Sequence, residues 1–209
     1  VSSGSDNIDR IAADRLIALV NGIPGKRYYG LAFAFAQTYT SEGKADLEHT
    51  GLYIPNSYMM DVVSRSPHLV PVGSVHPYQP GAPAALVNLY AQGVRLVKVL
   101  PNSMHFSAAS PLTNSFFSTL ASMKMVLITH VGDEHSVRGG GIDDAMGNPA
   151  LFEPWLKKYP DLKIIFAHVG SEGTSVVDGK EVENFALVID LLKRYPKQTA
   201  ADISAMISA

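Results

Sequence analysis

Cysteine is absent from the 209 residues. That excludes disulfides and thiolate metal sites, and it leaves the redox compartment open. An excess of charge is also missing: 17 Lys and Arg stand against 19 Asp and Glu, a formal net charge of −2. No basic block of the kind that tracks a phosphate backbone occurs, so nucleic acid is not an expected partner. No apolar run approaches the roughly 20 residues that span a bilayer, so no membrane span is expected either. The first ten residues, VSSGSDNIDR, are polar, lack the basic and apolar parts of an export signal, and do not begin with Met. They read as an internal start, and the expected setting is cytoplasmic. Short-period repeats, low-complexity tracts and linkers are lacking too. A chain of this length that is 46% hydrophobic is enough for one domain with a sizeable core, expected over residues 1–209.

What is present is a series of short apolar runs: Tyr29 to Ala36, Leu69 to Val75, Val94 to Leu100, Met125 to His130, Leu162 to His168 and, more weakly, Thr199 to Ser204. Most are near-continuously apolar, the pattern of strands buried on both faces of a parallel sheet. Helical stretches lie before and between them: Asp6 to Val20, Pro55 to Ser64, Pro83 to Gln92 ahead of Gly93, Leu112 to Met123, Asn148 to Lys158 and Glu183 to Arg194. Pro at first-turn positions, an Asn cap at Asn148 and a glycine past the third helix mark their ends. A helix followed by alternating strands and helices means α/β architecture, either a doubly wound sheet or a (β/α) barrel. No G-x-G-x-x-G follows the first strand, which weakens a dinucleotide-binding fold. A Gly-rich charged excursion, Gly132 to Gly147, follows the fourth strand, where α/β enzymes keep functional loops and where a plain surface loop is equally expected.

In a parallel sheet all strand C-termini reach one rim. His76, Lys98, His130 and His168 each lie at or near such an end. Taken singly, a strand-end histidine is a capping group and Lys98 a snorkelling side chain. Taken together, imidazoles and a buried ammonium at one rim suit a metal-assisted site. Asn102, His105, Glu134 and His135 lie just past strand ends and can reach the same rim, whereas His49 and His68 read as surface positions. The turns HVGDEHS and HVGSEGTS could offer N–H groups to a phosphorylated ligand, but their acids would repel it.

At these residues the sequence resembles the amidohydrolase superfamily, in its amidohydrolase-related branch of metal-dependent hydrolases and non-oxidative decarboxylases. The segments that carry the resemblance are IPNSYMMDVVSRSPHLVPVGSVHPYQPGA, LYAQGVRLVKVLPN, MVLITHVGDEHS and NPALFEPWLKKYPDLKIIFAHVGSEG, with YPKQTAADISA a weaker match. The resemblance implies a (β/α)8 TIM barrel with one or two divalent metals at its C-terminal rim, zinc being the expected ion. It implies His130 as the strand-5 metal ligand and His168 as the strand-6 histidine, catalytic and close enough to share the metal. Glu134 and Lys98 are the further catalytic candidates, and His76, Asn102, His105 and Asn148 the substrate-binding ones. Lys98 lies in the strand that carries a carboxylated lysine in some branches.

The family's His-x-His is not found in this sequence, and no strand follows the sixth apolar run to bring its final Asp. The expectation is therefore an incomplete barrel of about six strands, 2 to 7, with flanking helices. Six strands do not close at the usual tilt and shear, so the 209-residue polypeptide alone is expected to be poorly soluble or weakly folded. The function expected of the complete protein is metal-dependent hydrolysis of a small carbonyl- or carboxylate-bearing molecule. The alternatives are non-oxidative decarboxylation and a non-catalytic α/β scaffold. The expected partner is a small molecule, with homo-oligomerisation left open.

Overall fold

The computed structural model describes residues 5–25, 28–137, 139–170 and 172–204. Helix α1 (Ser5–Gly22) is followed by strand β1 (Gly30–Phe33), α2 (Asn56–Ser64), β2 (Leu69–Gly73), α3 (Ala82–Ala91), β3 (Leu96–Val99), α4 (Asn114–Ser122) and β4 (Val126–His130). Then come α5 (Glu153–Lys158), β5 (Lys163–Ala167), an antiparallel hairpin of β6 (Thr174–Val177) and β7 (Lys180–Glu183), α6 (Asn184–Arg194) and β8 (Thr199–Ala201). Six strands form one sheet in the order β1-β2-β3-β4-β5-β8, and every neighbouring pair is parallel. This is the expected α/β architecture, strand for strand. β1 and β8 end the sheet, each hydrogen-bonded to a strand on one side only among the described residues.

The two faces of the sheet are unequal. Side chains alternate along a strand, so Leu127 of β4 and Ile164 and Phe166 of β5 point outward into the main core. There they meet Phe116, Phe117, Phe152, Trp155 and Leu86 from the covering helices and turns. The opposite face carries a thin layer of Val72, Ile128 and Ala167, with Phe33, Leu96 and Ile165 packed against it. Lys98 follows Leu96 by two residues and so points from this inner face. Continuous apolar strands are what both layers together require.

Helix boundaries follow local chemistry. Asn148 caps as expected, its Oδ1 accepting from the N–H of Ala150, although the stretch it opens is a 3-10 turn, Pro149–Phe152, before α5. Pro111–Thr113 is likewise a 3-10 turn ahead of α4. In α1 the inward residues are Ala13, Ile17 and Val20, while Ile8, Ile11, Leu16 and Leu19 stay exposed. The hairpin is a departure from the sequence reading. Asp178 and Gly179 both hold positive φ, 50° and 75°, the two-residue turn whose twist suits adjacent strands.

Candidate functional site

A cavity of about 440 Å3 opens at the C-terminal ends of the parallel strands. Lys98 and Leu100 reach it from the end of β3, Ile128 and His130 from β4, and Ala167 and His168 from the end of β5. Asp202 and Ser204 enter just after β8, and Phe33 and Phe35 form an aromatic wall at β1. The excursion adds Asp133, Glu134, His135, Ser136 and Val137. Lys98, His130, Glu134 and His168 therefore line one cavity, with the rings of His130 and His168 centred 5.4 Å apart.

His168 is held by unusual backbone. His168, Val169 and Gly170 take consecutive positive φ values of 58°, 49° and 63°, a left-handed turn that costs energy at the first two residues. Asp202 Oδ1 compensates by accepting from the His168 N–H at 3.2 Å and the Ser204 N–H at 2.9 Å, and it is also bonded to the Ser204 hydroxyl. Burial pushes the Asp202 carboxyl up, but these donors outweigh it and its pKa is lowered. The His168 Nδ1–H donates to the Ser204 carbonyl at 2.9 Å. A carbonyl can only accept, so this bond fixes the proton on Nδ1. In the neutral ring Nε2 then keeps its lone pair.

His130 is nearly buried. Its Nε2–H donates to the Asp133 carbonyl at 3.2 Å, and its Nδ1 stands 3.7 Å from Glu134 Oε2. Burial lowers its pKa; the Glu134 carboxylate opposes that shift and Lys98 adds to it. Glu134 is itself 4% exposed, and its Oε1 accepts from the N–H groups of Ser136 and Val137 at 2.6 and 3.1 Å. Lys98 is 7% exposed. Among the described residues its ammonium makes no hydrogen bond and no ion pair within 4.0 Å, and burial drives its pKa down to about 8 against the longer-range pull of Asp202 and Glu134.

The other four candidates do not join this cavity. His76 is fully buried and committed on both sides, its Nε2–H donating to the Met104 carbonyl at 2.7 Å and its Nδ1 accepting from the Tyr78 N–H at 3.1 Å. Tyr39, Tyr78 and Phe106 surround its ring, and burial lowers its pKa to about 4. Asn102 is fully buried and ties down the excursion, its Nδ2 donating to the Gly132 carbonyl and Asp144 Oδ1. A Cβ at Gly147 would come within 2.5 Å of that same Nδ2, so the loop closes over Asn102 only with glycine there. His105 packs edge-on against His49, and Asn148 serves as the cap already described. A strand-end position alone did not separate these inward-committed side chains from cavity-lining ones. The excursion is correspondingly anchored, with Ser103 Oγ–H donating to the Val137 carbonyl as a further tie.

Asp202 and Ser204 were not singled out from the sequence. Asp202 follows a short apolar run, TAA, much as His130 and His168 close theirs, so the rule that found those two also reaches it. A divalent ion is met only in part: His130 and His168 are two adjacent imidazoles. No group of three or more His, Cys, Asp or Glu able to hold a metal ion occurs among the described residues, and zinc sites take three or four protein donors.

A six-stranded parallel sheet with covering helices and a cavity of mixed polar and apolar lining at its C-terminal rim defines a TIM-barrel-type α/β protein. The family model for amidohydrolases, Amidohydro_2, matches residues 32–207, and the chain belongs to that family. In structure it is similar to an uncharacterized TIM-barrel protein from Bordetella bronchiseptica, with a TM-score of 0.58 and 16% identity over 91% of this chain and 58% of that one. It is also similar to a candidate amidohydrolase from Staphylococcus aureus, with a TM-score of 0.51 and 11% identity over 73% and 59%. These likenesses show the fold, and this chain covers under two thirds of either structure's length. None of the curated proteins matches it.

Proposed function

We propose that the chain forms part of a metal-dependent hydrolase acting on a small molecule that bears a carbonyl or carboxylate, with the rim cavity as its reaction site. The observation that supports this most is the gathering of Lys98, His130, Glu134 and His168 in one cavity of an amidohydrolase-family chain. His168 moves the proton: the Ser204 carbonyl holds Nδ1–H, and Nε2 is the basic atom offered to substrate or water. Lys98 offers positive charge to an oxygen that turns anionic, in surroundings where water screens little. Glu134, pinned by two N–H groups, keeps the excursion folded against His130. His130 would give a divalent ion, zinc in this proposal, one of its donors, and His168 would give a second only where its Nε2 is not the atom that takes the proton. Such an ion, when bound, acidifies a water or polarises a carbonyl. A cytoplasmic setting and a small-molecule partner complete the reading. Among the described residues no helix is long and apolar enough to cross a membrane.

Decarboxylation is the second reading. The pairing of an apolar wall (Phe33, Phe35, Ile128, Ala167) with the Lys98 ammonium favours it, since an aryl carboxylate suits both. Two measurements on the full-length protein test the proposal, the 209 residues alone being expected to be inactive: its metal content, and release of acid from aryl esters and lactones against release of carbon dioxide from aryl carboxylates. The expected result is divalent metal lost in His130→Ala, with turnover of one of the two substrate classes. A folded protein holding no metal and turning over neither class leaves the scaffold reading in place.

A further inference from the structure

We infer that Lys98 is a reactive amine site that captures small aldehydes and ketones as imines. The inference concerns the same cavity as the proposed function but does not depend on metal or on hydrolysis.

It stands on where the amine sits. The Lys98 side chain leaves the inner face of β3 and lines a cavity of about 440 Å3. The apolar residues Val72, Ile128 and Ala167 form the inner layer of the sheet, and Phe33, Phe35 and Leu100 complete the cavity's apolar wall. The residue is 7% exposed, yet among the described residues no carboxylate lies within 4.0 Å of its nitrogen and no acceptor bonds to it. A buried lysine normally has its charge met by a partner. Here the two carboxylates that act on it, Asp202 and Glu134, are already occupied, by the His168 turn and by the N–H groups of Ser136 and Val137. The ammonium therefore has no close partner among the described residues, and a minor fraction of neutral amine is accessible at pH values where exposed lysines are fully protonated. A desolvated lysine against an apolar wall, with no carboxylate in contact, is an arrangement that makes an amine nucleophilic toward carbonyl compounds.

The chemistry balances without a further reactant. The nitrogen lone pair forms a bond to the carbonyl carbon while the C=O π pair moves to oxygen, which takes a proton. The resulting carbinolamine loses that oxygen as water, and the nitrogen gives up its protons to water or to a neighbouring base such as His168 Nε2. The sum is amine plus carbonyl compound giving imine plus one water. The aromatic wall of Phe33 and Phe35, rings 6.4 Å apart, suits an aryl aldehyde, and benzaldehyde is the probe.

The test is reductive trapping on the intact chain. Protein at pH 7 is incubated with benzaldehyde and cyanoborohydride, which fixes any imine as a benzylamine, and the modified lysines are mapped by peptide mass spectrometry. The chain has ten lysines, so the other nine are internal controls. Lys98 is expected to be benzylated at least about tenfold faster than any of them, since it holds a far larger neutral fraction at that pH. Lys98→Arg, which keeps the charge and removes the primary amine, should abolish the fast labelling while leaving the circular dichroism unchanged. Even where that variant misfolds, the wild-type map decides the matter. Uniform labelling of the surface lysines with Lys98 at or below their rate overturns the inference. Fast labelling without any hydrolase or decarboxylase activity would support it and count against the proposed function alone.

Discussion

Asp202 Oδ1 accepts from the backbone N–H of His168 at 3.2 Å, tying the segment after the last strand of the sheet to the left-handed turn after β5. The same oxygen holds the N–H of Ser204, whose carbonyl fixes the proton on His168 Nδ1. Removing the carboxylate should therefore release both the turn and the tautomer. Asp202→Ala is expected to lose about 1–2 kcal/mol of stability, in line with hydrogen bonds to a charged acceptor. In the 15N spectrum of the imidazoles His168 should lose its single-tautomer signature. Asp202→Asn, which keeps an acceptor, should recover part of both. A variant with unchanged tautomer and unchanged urea midpoint would show that the link does not position His168.

His76 sets an acid limb of stability. It is buried as a neutral ring that donates to Met104 and accepts from Tyr78, and its pKa falls to about 4 in the folded chain. The unfolded chain binds the proton near pH 6.5. Between those values the unfolded state holds more protons, so stability rises with pH there. The contribution is complete above about pH 6.5 and is lost as pH falls toward 4, amounting to on the order of 3 kcal/mol. Urea unfolding at pH 7 and at pH 4.5 measures it, and His76→Gln should flatten the slope in that window even though it lowers overall stability. An unchanged slope would reject the assignment.

Glu153 sets a second, lower window. Burial pushes its carboxyl up, but Arg194, Lys157 and the Tyr195 hydroxyl outweigh that and hold it at about 2. The stabilisation is present above about pH 4.5, the ordinary value for a glutamate, and is lost as pH falls from there toward 2. The Arg194 and Tyr195 contacts join α5 to the end of α6, and the Lys157 pair lies within α5. Glu153→Gln should reduce the stability dependence below pH 4.5, leaving the part that Asp202 contributes and the His76 window between 6.5 and 4 intact, and should cost about 1 kcal/mol or less per ion pair at neutral pH. If the variant altered the upper window instead, the two titrations would have been misassigned.

The sheet was legible because its strands are short apolar runs separated by helical spacing and marked caps, and local chemistry decides both. The site was half legible. The strand-end rule brought Lys98, His130 and His168 together: alternation along β3 and β4 turns Lys98 and His130 inward, whereas His168, one residue past the inward Ala167, enters the cavity through its left-handed turn. It failed for His76 and Asn102, whose partners, Met104, Tyr78, Gly132 and Asp144, lie in loops that have no period to read. The hairpin was missed although its signal is local: Val-Asp-Gly-Lys, Val177 to Lys180, is the two-residue turn sequence. It lay inside a stretch read only as a turn and the approach to a helix. His68, read as surface, is half-buried, its ring against Tyr28 and Tyr29 in the segment that leads into β1.

The open edges carry the last prediction. Among the described residues β1 and β8 each present one unpaired side, and apolar side chains stay exposed near both: Leu31 at 44%, Ile203 at 64%, and Ile8 and Leu19 on α1 at 69% and 70%. An unpaired strand flanked by apolar surface is a template for another chain. The 209-residue polypeptide is expected to associate with rising concentration and to melt with low cooperativity, as followed by light scattering and differential scanning calorimetry. Leu31→Lys places a charge beside the β1 edge, the device natural edge strands use, and should lower the association several-fold without changing the helical signal. A monomeric chain with a sharp, high melting transition would mean that the sheet ends are protected by contacts other than those described here.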